Sequence, residues 1–149
     1  MENEKNRDEE ISMKLFVVLT RTLDAIKKSV EKDIRRYGLN TTEFAVLEFI
    51  YSKGDQPIQK IGEKVLISSS SITYVVDKLE KKSFLKRVPS PEDRRITFAS
   101  ITEEGKTFMD SIFPKHQETI ARIMGGLPLE EKETLLSQLK KLGFHAKGV

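Results

Sequence analysis

Apolar residues recur at alternating three- and four-residue steps through the first part of the chain. Phe16, Leu19, Leu23, Ile26 and Val30 make one continuous stripe, and Ile11, Leu15 and Val18 make a second beside it. Such spacing is that of a helix, predicted here over about 9–37 with Gly38 as its stop. An apolar arc this wide needs more than one packing partner. Asn40 stands three residues before Glu43, the spacing of a reciprocal cap, so a second helix opens there and carries Phe44, Val46, Leu47, Ile50 and Tyr51 to Lys53 and Gly54. "GDQP" (54–57) reads as a turn, and Ile58, Ile61 and Val65 share a face of a compact helix of about 57–65. "LIS" (66–68) is a brief connection. The next helix opens at Ser68 as its cap and turns Ile72, Val75, Val76 and Leu79 inward.

After Lys82 and Ser83 the period changes. "FLKRV" and "ITFASI" are β-rich and roughly alternating, and "PSPEDRR" between them carries prolines that cannot sit inside a ladder. The prediction is a hairpin with a long tip. Thr102 then starts a long helix of about 103–125, with Met109, Phe113, Ile120, Ile123 and Met124 on its apolar side. Pro114 inside it predicts a kink or a break. Gly125 and Gly126 end it, and Pro128 starts a last helix with Leu135, Leu136, Leu139 and Leu142 inward.

The predicted fold is mainly α with a minor β part, a single domain over 1–149. A winged helix-turn-helix lobe occupies about 39–103, between long helices at about 10–38 and 104–145. The outer helices carry more apolar surface than so small a lobe can cover. Two-fold pairing of two copies buries both ends at once, so these are predicted dimerisation helices of a homodimer.

Charge sharpens the picture. The net charge of +3 is modest, but residues 57–95 hold nine Lys/Arg against five acids, whereas residues 1–10 hold five acids against two bases. Positive charge gathers on the winged lobe, as a nucleic-acid partner requires. There is no cysteine, which excludes disulfides and thiolate chemistry. The acidic start lacks a hydrophobic signal segment and no run approaches membrane-spanning length, so a cytoplasmic, nucleoid-associated protein without a membrane partner is expected. No nucleophile–base pair, phosphate loop or metal spacing is present, and the two histidines lie far apart in sequence. Neither enzyme activity, cofactor nor metal is expected.

"SSSSITYVVDKLEKK" (68–82) is the candidate recognition helix. Small hydroxyl side chains in a first turn permit close approach to base edges and phosphates, helped by the positive end of the helix dipole. Ser68, Ser69, Ser70, Ser71, Thr73, Tyr74 and Lys78 are its candidate DNA contacts, joined by Gln59 from the short helix before it. The plain reading of the serines is solvated capping; the short helix before them and the basic hairpin after them favour DNA. At the hairpin tip, Asp93 is spaced to hold Arg95 by a bidentate pair and aim it into a narrow minor groove. Lys86, Arg87 and Arg94 are candidate phosphate contacts. A non-specific architectural DNA-binding protein with no effector is the competing function; hydroxyls rather than Lys and Arg near the helix start favour base readout.

"LNTTEFAVLEFI", "IGEKVLISSSSITYVVDKLEKK" and "PSPEDRRITFASITEEG" resemble the MarR family of bacterial winged-helix transcription regulators, over roughly 10–143. The Asp-x-Arg at 93–95 is among the most specific of these features. The resemblance implies a homodimer built from the terminal helices, binding a pseudo-palindromic operator in double-stranded DNA. It further implies a repressor released by a small aromatic, often phenolic, ligand or by oxidation. Residues 38–80 resemble more narrowly the MhqR-like branch, which responds to quinones and catechols. Family ligands sit between the dimerisation helices and the DNA-binding lobe, which implies Phe16, Leu19, Arg21, Leu23, Phe44, Tyr51, Phe113 and His116 as candidate effector contacts. Without a cysteine, any effector must bind without a thiol adduct. One departure concerns Ser83, where the family often has Gly; in a left-handed backbone Ser costs roughly 1 kcal/mol.

Overall fold

The structure is a computed structural model that describes residues 1–65 and 69–149, with the side chains of Ser69 and Ser70 also outside the description. The expected connection at 66–68, including the cap at Ser68, lies outside the described residues. Helix α1 spans Glu2–Arg35 and so begins well before the expected residue 9. Glu2 and Glu4 in its first turn face the positive helix end, and Glu10–Lys14 and Asp24–Lys28 pair along it at 3.1 and 3.0 Å. These local terms extend a helix that the apolar stripe alone does not reach. Gly38 follows with φ +79°, as its stop requires.

Helix α2, Thr41–Lys53, opens with the reciprocal cap. The Glu43 amide donates to Asn40 Oδ1 at 2.7 Å, and the Asn40 amide donates to Glu43 Oε1 at 3.2 Å. The predicted "GDQP" turn is partly a strand: β1, Gln56–Pro57, pairs with Ala99 and Phe98. Pro57 is tolerated because β1 is an edge strand. Helices α3, Ile58–Lys64, and α4, Ser69–Lys81, follow, then strands β2, Leu85–Pro89, and β3, Thr97–Ile101. The sheet is antiparallel in the order β1-β3-β2, with Leu85 opposite Ile101 and Pro89 opposite Thr97. Pro89 thus ends its strand rather than belonging wholly to the tip.

Helix α5 spans Glu103–Ile123, a 3-10 turn covers Met124–Gly126, and α6 spans Leu129–Lys147. Thr102 caps α5 by accepting the Gly105 amide at 2.9 Å. Pro114 does not break α5. It removes one N–H, the one that Asp110's carbonyl would have received, and the flanking turns carry the helix across the gap. The core sits where α2, α3, α4 and the sheet meet the start of α5: Val46, Leu47, Ile50, Ile61, Val76, Leu79, Leu85, Ala99 and Met109 are all buried. The expectation for α6 is overturned: Leu135, Leu136, Leu139 and Leu142 are exposed, and α6 buries no residue within the chain. Its period was right, but among the described residues nothing buries it.

Two features set the joint between α4 and the hairpin. The Phe84 amide donates to the Leu79 carbonyl and the Ser83 amide to the Glu80 carbonyl, at 3.0 and 2.9 Å, a Schellman ending that needs a left-handed residue at position 83. Ser83 takes it, with φ 67°. Gly105 lies so close to the Phe84 carbonyl oxygen that an added Cβ would sit 2.3 Å from it. Stacking of the Phe84 and Phe108 rings, 4.4 Å between centroids, seals the same junction.

Candidate nucleic-acid interface and ligand groove

Helix α4 is amphipathic in the predicted sense. Ile72, Val75, Val76 and Leu79 are buried, while Ser71, Thr73 and Tyr74 are exposed. Ser69 and Ser70 lie in its first turn. Tyr74 is 61% exposed, a flat ring with an apolar body and a hydroxyl on the outer face of the helix. Lys78 lays its ammonium over that ring, 4.9 Å from the centroid, and the Tyr74 hydroxyl beside it pushes the Lys78 pKa up from its ordinary value. Gln59 is exposed on α3, the helix before.

The tip of the hairpin is internally tied. Ser90 Oγ accepts the amides of Glu92 and Asp93, both at 3.3 Å, and the Ser90 amide donates to the Ile96 carbonyl at 2.9 Å. Asp93 accepts three hydrogen bonds from Arg95: backbone N at 3.0 Å, Nε at 3.1 Å and Nη2 at 3.2 Å. Those bonds hold the Asp93 carboxyl below its ordinary pKa. The Arg95 side chain is nevertheless 91% exposed, a cation held in direction and open to a partner. Lys86 and Arg94 are exposed on the same hairpin. Arg87 differs from the outward-facing cation the sequence suggests: Asp77 and Glu80 of α4 take both ends of its guanidinium.

A groove of about 660 Å³ runs between α1, α2 and α5. Ile26, Val30 and Ile34 of α1 form one wall, and the rings of Phe44, Phe113 and His116 form another. Lys27, Glu31 and Glu48 supply charge around it. His116 is anchored from behind, its Nδ1 lying 3.0 Å from Oδ2 of Asp33, whose side chain is 2% exposed. The Phe44 ring lies 4.5 Å from that of His116. Tyr37 donates to the other Asp33 oxygen at 3.4 Å; burial first, and the Asp33 charge second, raise its pKa.

Of the expected effector contacts, Phe44, Phe113 and His116 meet at this groove. Tyr51 stands one ring behind, 5.7 Å from Phe113, with its hydroxyl donated to Asp110, and that hydrogen bond raises the Tyr51 pKa. Phe16, Leu19, Arg21 and Leu23 do not line it. Phe16, Leu19 and Leu23 share the stripe of Val30 but lie along the axis from it, Phe16 about 21 Å away at 1.5 Å per residue, and Arg21 falls on the opposite face of α1. Phe16 and Leu23 are 65% and 52% exposed in the single chain. The sequence reading missed Asp33, Glu31 and Glu48. Asp33 had a signal, since it falls on the inward face between Val30, Ile34 and Tyr37, where an acid has no place unless it is paired. Among the described residues no group of His, Cys, Asp or Glu is arranged to hold a metal ion, and no helix is long and apolar enough to cross a membrane.

Comparison with known proteins agrees with this layout. A family model described as the MarR family matches residues 39–97. The HTH-type transcriptional regulator MhqR of Bacillus subtilis is 52% identical over 138 residues, covering 93% of this chain and 95% of that protein. In structure, AbsC, a MarR family transcriptional regulator from Streptomyces coelicolor, superposes with a TM-score of 0.82 at 21% identity, over 92% of this chain and 95% of that one. Sco3205, also from Streptomyces coelicolor and crystallised in complex with DNA, gives a TM-score of 0.80 at 17% identity over 88% of each chain.

Proposed function

This chain belongs to the MarR family of DNA-binding transcription regulators, and from that premise we propose that it is a homodimeric repressor of a pseudo-palindromic operator, released by a small aromatic ligand of the phenol, catechol or quinone kind. Helix α4 enters the major groove and reads bases through Ser69, Ser70, Ser71, Thr73 and Tyr74, with Ser68 preceding it in sequence and Lys78 and Gln59 as further contacts. Arg95, aimed by Asp93, enters the minor groove, and Lys86 and Arg94 meet phosphates. The bare apolar rows of α1 and α6, Phe16, Val18 and Leu23 with Leu135, Leu136 and Leu139, support pairing of two copies. Such pairing sets two recognition helices about one helical turn of DNA apart.

The observation that carries ligand release is the position of the groove. One wall comes from α1 of the terminal helices and the other from α2 of the winged lobe together with α5. An occupant held between the α1 wall and the rings of Phe44 and His116 therefore acts on the angle between the terminal helices and the DNA-binding lobe. Flat aromatic walls with few polar anchors suit a phenol or quinone. The test is fluorescence anisotropy on a labelled duplex selected by the protein from a random-sequence pool, titrated with hydroquinone, catechol and benzoquinone. Release by one of them, lost in His116→Ala, is the expected result. An operator complex indifferent to all three rejects the effector. Equal affinity for a scrambled duplex rejects sequence-specific regulation in favour of architectural binding.

A further inference from the structure

The recognition helix carries two acids on its outer side, which is electrostatically the wrong sign for a surface that meets phosphate. Asp77 and Glu80 are one turn apart on α4, and both are partly exposed. Arg87 of β2 reaches across to them. Its Nη2 donates to Asp77 Oδ1 at 2.6 Å, its Nη1 to Glu80 Oε1 at 2.8 Å, and its backbone amide to Glu80 Oε2 at 3.3 Å. The Arg87 side chain is only 28% exposed. A single strand residue is thus fixed to one helix at three points, in the forked geometry that a guanidinium offers and an ammonium does not.

The hairpin is also held along β3, where β1 pairs with Ala99 and Phe98, and at its base. There Ser83 makes the left-handed exit, Thr102 Oγ1 donates to the Ser83 carbonyl, and Phe84 stacks on Phe108. Those contacts hold β3 and the root of the hairpin; Arg87 fastens β2, the strand on the opposite edge of the sheet, to α4.

We propose that Arg87 is a positioning residue, locking the wing to the recognition helix through Asp77 and Glu80, so that operator affinity depends on two acids that by charge alone oppose it. This rests on the reading that α4 and the wing grip one duplex together. Asp77 and Glu80 raise affinity by holding Arg95 where the minor groove receives it. Arg87 does so without itself touching the backbone of the DNA.

The sign of the effect tests the idea. With the full-length protein and a duplex it selects from a random-sequence pool, Asp77→Ala/Glu80→Ala should weaken binding about tenfold, although the surface gains positive charge. Hydroxyl-radical footprints should lose protection in the minor groove under the wing, while guanine N7 in the major groove should stay protected from dimethyl sulfate. Arg87→Ala should cost a similar factor in the wild-type background and little more in the double variant, because coupled partners are not additive. Arg87→Lys should behave like Arg87→Ala, whereas a phosphate contact tolerates lysine as a point charge. Thermal midpoints measured alongside should stay near wild type, since ion pairs to acids this exposed contribute little to stability. A double variant that binds as tightly as wild type or tighter, with its footprint intact, overturns the proposal. So does an Arg87→Ala loss that is equal in both backgrounds. Failure of the wild-type protein to select any duplex overturns the regulator reading and this inference with it.

Discussion

Replacing Ser83 by glycine should make the protein more stable. Ser83 sits at φ 67°, where a side chain crowds the following carbonyl and costs about 1–2 kcal/mol. The backbone is held there from both sides: its amide and that of Phe84 close the end of α4, and its carbonyl accepts from Thr102. Among the described residues its hydroxyl enters no hydrogen bond. Glycine therefore relieves the crowding and loses no contact. Against this stands the greater freedom of glycine in the unfolded chain, worth about 0.4–1 kcal/mol. The balance is a gain of up to about 1.6 kcal/mol per chain and about 0.8 kcal/mol at the middle of the two ranges, with roughly 2–4 °C in thermal midpoint per kcal/mol for a chain of this size. Urea unfolding at a fixed protein concentration measures it, with Ser83→Ala as control. Alanine meets the same crowding and should differ little from serine. A glycine variant equal to or less stable than wild type would refute the left-handed exit from α4 and the account of the wing root built on it.

Arg95→Ala should weaken operator binding by about 1–3 kcal/mol in a gel-shift titration, and Asp93→Asn should lose part of the same amount with Arg95 still present; an unchanged curve for both would mean the wing tip stays clear of DNA. Because Arg95 depresses the Asp93 pKa, the fork is complete above the ordinary carboxylate value and is lost only as pH falls through the lower one, so affinity between about pH 5 and 8 should show no step from Asp93. Leu23→Arg should shift the sedimentation coefficient to that of a single chain, and a value matching wild type would show that the α1 stripe is not intermolecular. Gly105→Ala drives a methyl into the Phe84 carbonyl and should cost at least about 2 kcal/mol of stability by urea unfolding, a backbone clash that side-chain repacking cannot relieve.

Elements with strong local signals were legible. The cap at Asn40 and Glu43, the inward row of α4 and the Asp93–Arg95 pair all follow from spacing within a few residues, and each is in the structure as read. What escaped depends on partners distant in sequence. β1 exists because Gln56 and Pro57 find an edge on β3, forty residues on, and nothing local distinguishes that from a turn. The outward lie of the α6 leucines is invisible to a periodicity, which tells how a face is composed and not whether anything covers it. Arg87 read as a basic residue near DNA; its two acids lie ten and seven residues back, on another element. For the groove, the sequence found the aromatic side chains and misplaced the position along α1, because a stripe repeats at every turn while a cavity occupies one stretch of it.

Pro114 has a mechanical consequence. The missing rung in α5 lies between the end of the helix fastened to the wing root at Gly105 and the turn that presents His116 to the groove. Bending is cheapest where a hydrogen bond is absent. From Pro114 to Gly105 the lever is about 13 Å long at 1.5 Å per residue. A bend of roughly 10° there carries the wing root about 2 Å, more than half the rise between neighbouring bases on a strand.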